Sequence, residues 1–288
     1  MAFRTVVIKN KCKLEYSLNY LICRGEEDKR ILIDEIEFLI IQNTSVAITC
    51  ALLSALIDKK VKVIFCDTKN NPQAELVPYY NNFSTSKRIT TQINFNNDFK
   101  GKLWAKIIYE KINNEAKLLK FLKNPNYIKL EKYLSEIEAD DTTNREGHAA
   151  KVYFNSLFGN TFSRDDNSDI NKFLNYGYSI IVSSINREIK MLGYLTELGI
   201  HHKGETNSFN LSYDFFEPLR SLIDYFVITG KVDNENYKDF FIKILNHSVS
   251  YNGKSMLLNN AIHLYVQSLF TSLIGEDSNE VVFIKYEF

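Results

Sequence analysis

Apolar residues change their spacing once along this chain, and that change restricts what it can fold into. Through about residue 67 they come in short runs rich in β-branched side chains, at 5–8, 20–23, 30–33, 36–41 and 61–65, separated by polar turns. Runs of that length and composition predict strands. One amphipathic stretch breaks the series. Ser45 is placed to cap a helix reaching about position 58, with Ile48, Ala51, Leu52, Ala55 and Leu56 on one face. From about position 98 the spacing turns helical, over 99–122, 145–157, 170–195, 211–228 and 254–273. Between the two regimes, 68–98 holds Pro72, Pro78 and many Asn, Ser and Thr residues, which predicts a linker or long loop. The expected fold is therefore α+β, with a small β-rich N-terminal domain at 1–90 and a larger all-helical domain at 91–288. A chain of 288 residues can bury two such cores.

Several function classes are excluded at this level. No apolar run is long enough for a membrane helix, and the opening MAFRTVVIKN has neither region of a signal peptide, so the chain is expected in the bacterial cytoplasm, off the membrane. The four cysteines, Cys12, Cys23, Cys50 and Cys66, form no CxxC and read as reduced core thiols rather than a zinc site. There is no GxxxxGK[ST], no GxGxxG after a strand and no GxSxG, which argues against ATP use and serine hydrolysis. Net charge is zero, with 35 basic and 35 acidic residues, so a nucleic-acid binder would have to segregate its charge. It does so locally: Lys100, Lys102, Lys106, Lys111, Lys117, Lys120, Lys123, Lys129 and Lys132 face only Glu110, Glu115 and Glu131, and nine minus three leaves +6. Such a stretch is either a solvated helical face or a phosphate-contacting surface. The acidic run Glu136, Glu138, Asp140, Asp141 reads as a loop.

Three places carry residues suited to chemistry. Glu146 opens a helical segment for which Asn144 is the expected N-cap, and Ala149, Ala150 and Tyr153 share its face. The helix dipole alone would also favour an acid there. Asp214 and Glu217 form an i, i+3 acidic edge among Phe215, Phe216, Leu219 and Ile223, and Pro218 predicts a kink. An exposed acid pair in a first helical turn is the plainer alternative. His201 and His202 lie in a loop just ahead of that edge, after an apolar helix. One imidazole with two carboxylates would suit Mn²⁺ or Mg²⁺ and not a closed structural zinc site. Spacing alone leaves both readings open.

The blocks around these residues resemble a known family. Asn144-Arg-Glu-Gly-His-Ala-Ala-Lys-Val-Tyr-Phe-Asn-Ser-Leu-Phe-Gly is similar to the first active-site block of the CRISPR-associated integrases, the larger of the two proteins that insert new spacers into a CRISPR array. Ser212-Tyr-Asp-Phe-Phe-Glu-Pro-Leu-Arg and Tyr251-Asn-Gly-Lys resemble the type II subfamily (II-A-like), and Phe3-Arg-Thr-Val-Val-Ile and Val63-Ile-Phe-Cys-Asp also fit. The resemblance implies a metal-dependent DNA endonuclease and integrase whose Mg²⁺ or Mn²⁺ is held by Glu146, His202 and Glu217. Many members have Asp at the third position, where Glu reaches one methylene further. Asp214, Arg145 and Arg220 are implied as supporting residues, and Lys117 and Lys120 as DNA contacts. The implied partners are double-stranded DNA (prespacer and leader–repeat), a second copy of the chain joined through the N-terminal domain, and a small second adaptation protein completing a heterohexamer. A general metal-dependent repair nuclease and a non-catalytic DNA-binding scaffold are the alternatives.

Overall fold

The computed structural model describes residues 4–68, 70–78 and 84–288. The chain divides into two compact units, Met1–Tyr80 and Asn81–Phe288.

The first unit is built on strands. They are β1 (Arg4–Ile8), β2 (Lys13–Ser17), β3 (Tyr20–Arg24), β4 (Lys29–Leu32), β5 (Ile36–Ile41) and β6 (Ala47–Ile48), then helix α1 (Cys50–Asp58), β7 (Lys62–Cys66) and β8 (Pro72–Glu75). One sheet has the order β1-β5-β7-β8 and the other β4-β3-β2-β6. Strand β5 pairs in parallel with both β1 and β7, and a strand buried on both faces needs a largely apolar run, here Ile36 and Phe38–Ile41 with Glu37 the one polar residue. Leu52 and Leu56 of α1 join Leu14, Leu21, Ile36, Leu39 and Val63 in one core. The expected cap at Ser45 is corrected. Residues 47–48 pair in parallel with β2, so the helix starts later, and Thr49 caps it by accepting from the Leu52 N–H at 3.4 Å. Of the four cysteines only Cys66 is buried, and none is in a disulfide.

The second unit is mainly helical. It runs through α2 (Thr85–Ile93), α3 (Asn97–Phe121), α4 (Tyr127–Leu134), α5 (Arg145–Phe158), α6 (Asp169–Met191), α7 (Asn210–Phe216), α8 (Arg220–Ile228) and α9 (Tyr237–Ile242). Strands β9 (Ser248–Tyr251) and β10 (Lys254–Leu257) and helix α10 (Leu258–Gly275) complete it. Its axis is α3, 25 residues long, which packs against α4, α5, α7, α8 and α10. Most of the residues this helix buries are apolar, and the polar ones among them, Glu110, Lys111, Asn114 and Glu115, stand out.

Two further expectations are corrected. The stretch 68–98 is not all loop. Pro72 opens an edge strand antiparallel to β7, a position where its missing N–H costs nothing, and α2 follows. Gln92 of α2 bonds both backbone groups of the Leu195 region, donating to Leu195 O at 2.8 Å and accepting from Leu195 N at 2.8 Å, so α2 belongs to the second unit. Positions 69 and 79–83 of that stretch lie outside the described residues. The C-terminal unit is also not all-helical. Residues 254–257 pair with 248–251 across Asn252-Gly253, both at positive φ, the pair of conformations a two-residue hairpin turn demands.

Pro218 breaks the acidic helix as its chemistry requires. A 3-10 turn over Glu217–Leu219 separates α7 from α8. The Pro218 carbonyl accepts from Asn114 Nδ2 at 3.0 Å and Tyr286 OH at 2.6 Å, which ties the turn to α3 and the C-terminal segment. No helix among the described residues is long and apolar enough to cross a membrane.

Candidate active site

Glu146 stands in the first turn of α5, and its placement begins with a cap other than the expected one. Asn144 adopts left-handed backbone angles (φ 50°, ψ 43°) and its side chain caps nothing; a capping side chain needs extended angles. Asp141 does the work instead. Its carboxylate accepts from the N–H groups of Arg145 (2.8 Å) and Glu146 (2.9 Å). The acidic run at 136–141 thus supplies the anchor for α5, a role its sequence alone did not announce. Further along that face Tyr153 donates to Asp224 Oδ2 at 2.8 Å, and Tyr178 of α6 donates to Asp224 Oδ1. One buried carboxylate so ties α5 and α6 to α8. Burial pushes the Asp224 acid up to about 6, against the two tyrosine hydrogen bonds that pull it down.

Glu217 is buried in the 3-10 turn, and three cationic contacts hold it. Arg220 grips it with Nε and Nη2, each at 2.7 Å, in the paired geometry guanidinium favours. Lys111 Nζ lies 2.6 Å from its Oε2. Burial penalises this carboxylate, but Arg220 and Lys111 outweigh the penalty and hold its pKa down to about 2. The same ammonium lies 2.7 Å from Glu146 Oε1. Lys111 therefore belongs to the site and to neither of the two surfaces, solvated or phosphate-contacting, that the sequence allowed for lysines 100–132. Its position among Ile107, Ile108, Ile112 and Leu118, on the buried side of α3, is the signal that marks it.

The two histidines part company. The ring of His201 stacks on Trp104 with centroids 4.3 Å apart and planes 4° apart, and its Nδ1 pairs with Asp140 at 3.0 Å. His202 Nδ1 instead bonds Asp214 Oδ1. Asp214 is fully buried and also collects the backbone N–H groups of Ile200 (2.6 Å), His201 (3.1 Å) and His202 (3.2 Å), so it folds the loop and aims the ring together. That hydrogen bond raises the His202 pKa; burial offsets part of the rise, and the fields of Asp214, Glu217 and Glu146 add to it. The two candidate carboxylates are thus felt at His202. Gly199 makes the loop possible, because a Cβ there would collide with the His202 carbonyl oxygen and lie 2.8 Å from Asp214 Oδ2.

His202 also borders a cavity of about 490 Å³ lined by Lys100, Lys203 and Asn210. Burial and the neighbouring Lys203 push the Lys100 amine down. Of the supporting residues, Arg220 and Asp214 touch Glu217 and His202, whereas Arg145 pairs with Glu136 at 3.1 Å and lies over the Tyr133 ring. Lys117 and Lys120 are exposed on α3, and Lys120 Nζ sits 5.3 Å from the centre of the Tyr127 ring.

The donor set suits a hard divalent cation. Two carboxylates converge on one positive charge at 2.6–2.7 Å, and a histidine has one ring nitrogen committed to a carboxylate, the usual arrangement of a metal-binding imidazole. Among the described residues no three His, Cys, Asp or Glu side chains are gathered in metal-holding geometry, and the cation between Glu146 and Glu217 is the Lys111 ammonium.

Fold and site together define an α+β protein whose helical unit carries a candidate acid–histidine site. The particular family follows from comparison with known proteins. The family described as "CRISPR associated protein Cas1" matches residues 5–260, and the chain belongs to it. With that membership goes the role of nuclease and integrase in CRISPR spacer acquisition. The chain is 32% identical over 290 residues to the "CRISPR-associated endonuclease Cas1" of Neisseria meningitidis serogroup C (strain 8013), covering 98% of this chain and 95% of that one. Its fold matches a casposase bound to integration product with a TM-score of 0.77 at 20% identity, covering 95% of this chain and 91% of the other. It also matches a chain of a Cas6-RT-Cas1–Cas2 complex with a TM-score of 0.73 at 16% identity, covering 96% of this chain and 35% of that longer one.

Proposed function

We propose that this protein joins the 3′-hydroxyl of a prespacer duplex to a phosphodiester at the leader side of a CRISPR repeat. The reaction is a transesterification: one P–O bond forms to the incoming 3′-oxygen, one breaks, and the departing strand keeps its own 3′-hydroxyl. The observation that carries this reading is the convergence of Glu146 and Glu217 on a single cation beside a histidine aimed by Asp214. A Mg²⁺ or Mn²⁺ ion held by Glu146, His202 and Glu217 would polarise the scissile phosphate and the attacking hydroxyl. The chain supplies the rest. Arg220 keeps Glu217 ionised and fixed in place. Asp214 holds the proton on His202 Nδ1, which leaves Nε2 as the ligating nitrogen. Lys100 and Lys203, at the cavity beside His202, meet the phosphates that flank the reacting one. Exposed Lys117 and Lys120 contact the duplex through its backbone.

The assembly belongs to the same proposal. A homodimer forms through the β-rich unit, and two such dimers flank a dimer of the small second adaptation protein in a type II system. The solved complex that pairs a similar chain with Cas2 supports a partner of that kind.

The test is an integration assay with purified protein, its small partner, a prespacer duplex and a leader–repeat plasmid, supplied with Mn²⁺ or Mg²⁺. Glu146→Ala and His202→Ala are expected to abolish integration while leaving the circular dichroism spectrum unchanged. Normal integration by either variant would falsify the site assignment. Digestion of linear DNA without plasmid integration would instead mark a general nuclease.

A further inference from the structure

Helix α3 carries four polar side chains into the interior of the helical unit within six residues: Glu110, Lys111, Asn114 and Glu115. Two of them have settled partners beyond the candidate centre. Glu110 pairs with Lys285 at 2.6 Å, and Asn114 donates to the Pro218 carbonyl at 3.0 Å. The other two do not. Lys111 Nζ bridges Glu146 and Glu217, at 2.7 and 2.6 Å. Glu115, one turn further on the same face, keeps Oε2 buried with no hydrogen-bond partner. A buried polar atom in that condition is costly and calls for an explanation. The two features complement each other. If a divalent cation enters between Glu146 and Glu217, the ammonium there has to go elsewhere. An open carboxylate oxygen waits four residues along the helix, the spacing at which Lys and Glu side chains meet.

We propose that Lys111 is the resident counter-cation of the Glu146–Glu217 pair and that a divalent cation binds by exchange, with Lys111 leaving the pair for the open oxygen of Glu115. This rests on the metal-centre reading above and assigns Lys111 a positioning role. The ammonium keeps two half-facing carboxylates together before a metal arrives. Metal affinity is then the difference between what the pair gains from the divalent cation and what it loses in the ammonium. One buried cation moves by about a helical turn.

The measurement is Mn²⁺ titration of the full chain, by calorimetry or by loss of the free-ion electron paramagnetic resonance signal, with Mn²⁺ alone as the probe. Lys111→Met keeps the apolar stem and removes the competing charge. It is expected to bind Mn²⁺ about tenfold more tightly than the parent, to melt lower in EDTA, and to gain more in melting temperature on Mn²⁺ addition. A lysine with a merely structural role would give the reverse, a loosened site with weaker Mn²⁺ binding. Equal or weaker binding by a folded Lys111→Met protein overturns the proposal. Folding of that variant only in the presence of Mn²⁺ supports it, because the two cations then substitute for one another. Should Lys111→Met not fold at all, Glu115→Gln decides. With Lys111 in place but its carboxyl destination gone, Mn²⁺ affinity is expected to fall by roughly threefold to tenfold, what about one net hydrogen bond is worth; unchanged affinity overturns the exchange. Failure of the metal-centre reading looks different. Parent, Lys111→Met and Glu115→Gln would all leave Mn²⁺ free, and the exchange falls with the site.

Discussion

Asp214 and Glu217 are both acids on one helix edge, three residues apart, yet their surroundings give them separate tasks. Asp214 is spent on three backbone N–H groups and the His202 ring, and Glu217 faces two cations. The sequence motif could not separate them, because i, i+3 spacing fixes a shared edge and says nothing of what that edge meets. Asp214→Asn retains the shape but cannot hold the same proton on Nδ1. It is expected to lower integration by about 10- to 100-fold, as loss of an orienting carboxylate does, and also to lower the melting temperature, because the amide N–H₂ cannot accept from the buried N–H groups that both carboxylate oxygens serve. Gly199→Ala should disturb the same loop from the backbone side, and nuclear magnetic resonance of the His202 ring would report its displacement. Glu115 has a consequence in pH. Burial lifts its acid to about 8, above the unfolded value, against the pull of Lys111. The folded chain therefore holds this proton more tightly than the unfolded one does. The stability it contributes is full below about pH 4 and is lost as pH rises to about 8. Denaturant titrations of Glu115→Gln should show a flatter pH dependence over that window, with a relative gain of more than about 1 kcal/mol at pH 8.5.

At the scale of elements, the centre depends on three helices being held at fixed separations. Asp224 joins α5, α6 and α8 through Tyr153 and Tyr178, and Gly177 lets α6 pass close to α8 and α9. A Cβ at 177 would lie 2.6 Å from Ile223 Cγ2 and 3.1 Å from Phe241 Cε1. Gly177→Ala is expected to destabilise the helical unit by about 1–3 kcal/mol, the usual cost of overpacking, read as a lower denaturant midpoint. Helix α5 was legible as a helix because its apolar spacing is local. Its cap was not, since Asp141 reaches it through a turn with positive φ at both Asp140 and Asp141. The Asn252-Gly253 hairpin shows the opposite failure. The turn signal was present, but the apolar residues that follow blend into α10 and mask where the strand ends.

For the whole molecule, balanced net charge makes local segregation decide where DNA can lie. With Lys111 inside the centre, the basic stretch of α3 and α4 exposes fewer free charges than its sequence counts. Lys117 and Lys120 remain outward. Replacing both with Ala should weaken duplex binding for any sequence and reduce the slope of log K against log salt by about 1.8, two phosphate contacts' worth. An unchanged slope in fluorescence anisotropy titrations would remove this face from the DNA path.

Strand-like runs giving way to helical spacing, the break at Pro218 and the candidate acids and histidines could all be read without coordinates. Each depends on residues close in the chain, where backbone geometry alone sets the period, the cap or the kink. The partnerships that give those residues their chemistry are of another kind. Lys111 meets Glu146 across 35 positions and Tyr153 meets Asp224 across 71, while Trp104 takes the ring of His201 and so leaves His202 to Asp214. Such contacts follow from which faces the helices bury together, and packing is decided only when the whole unit closes on its core.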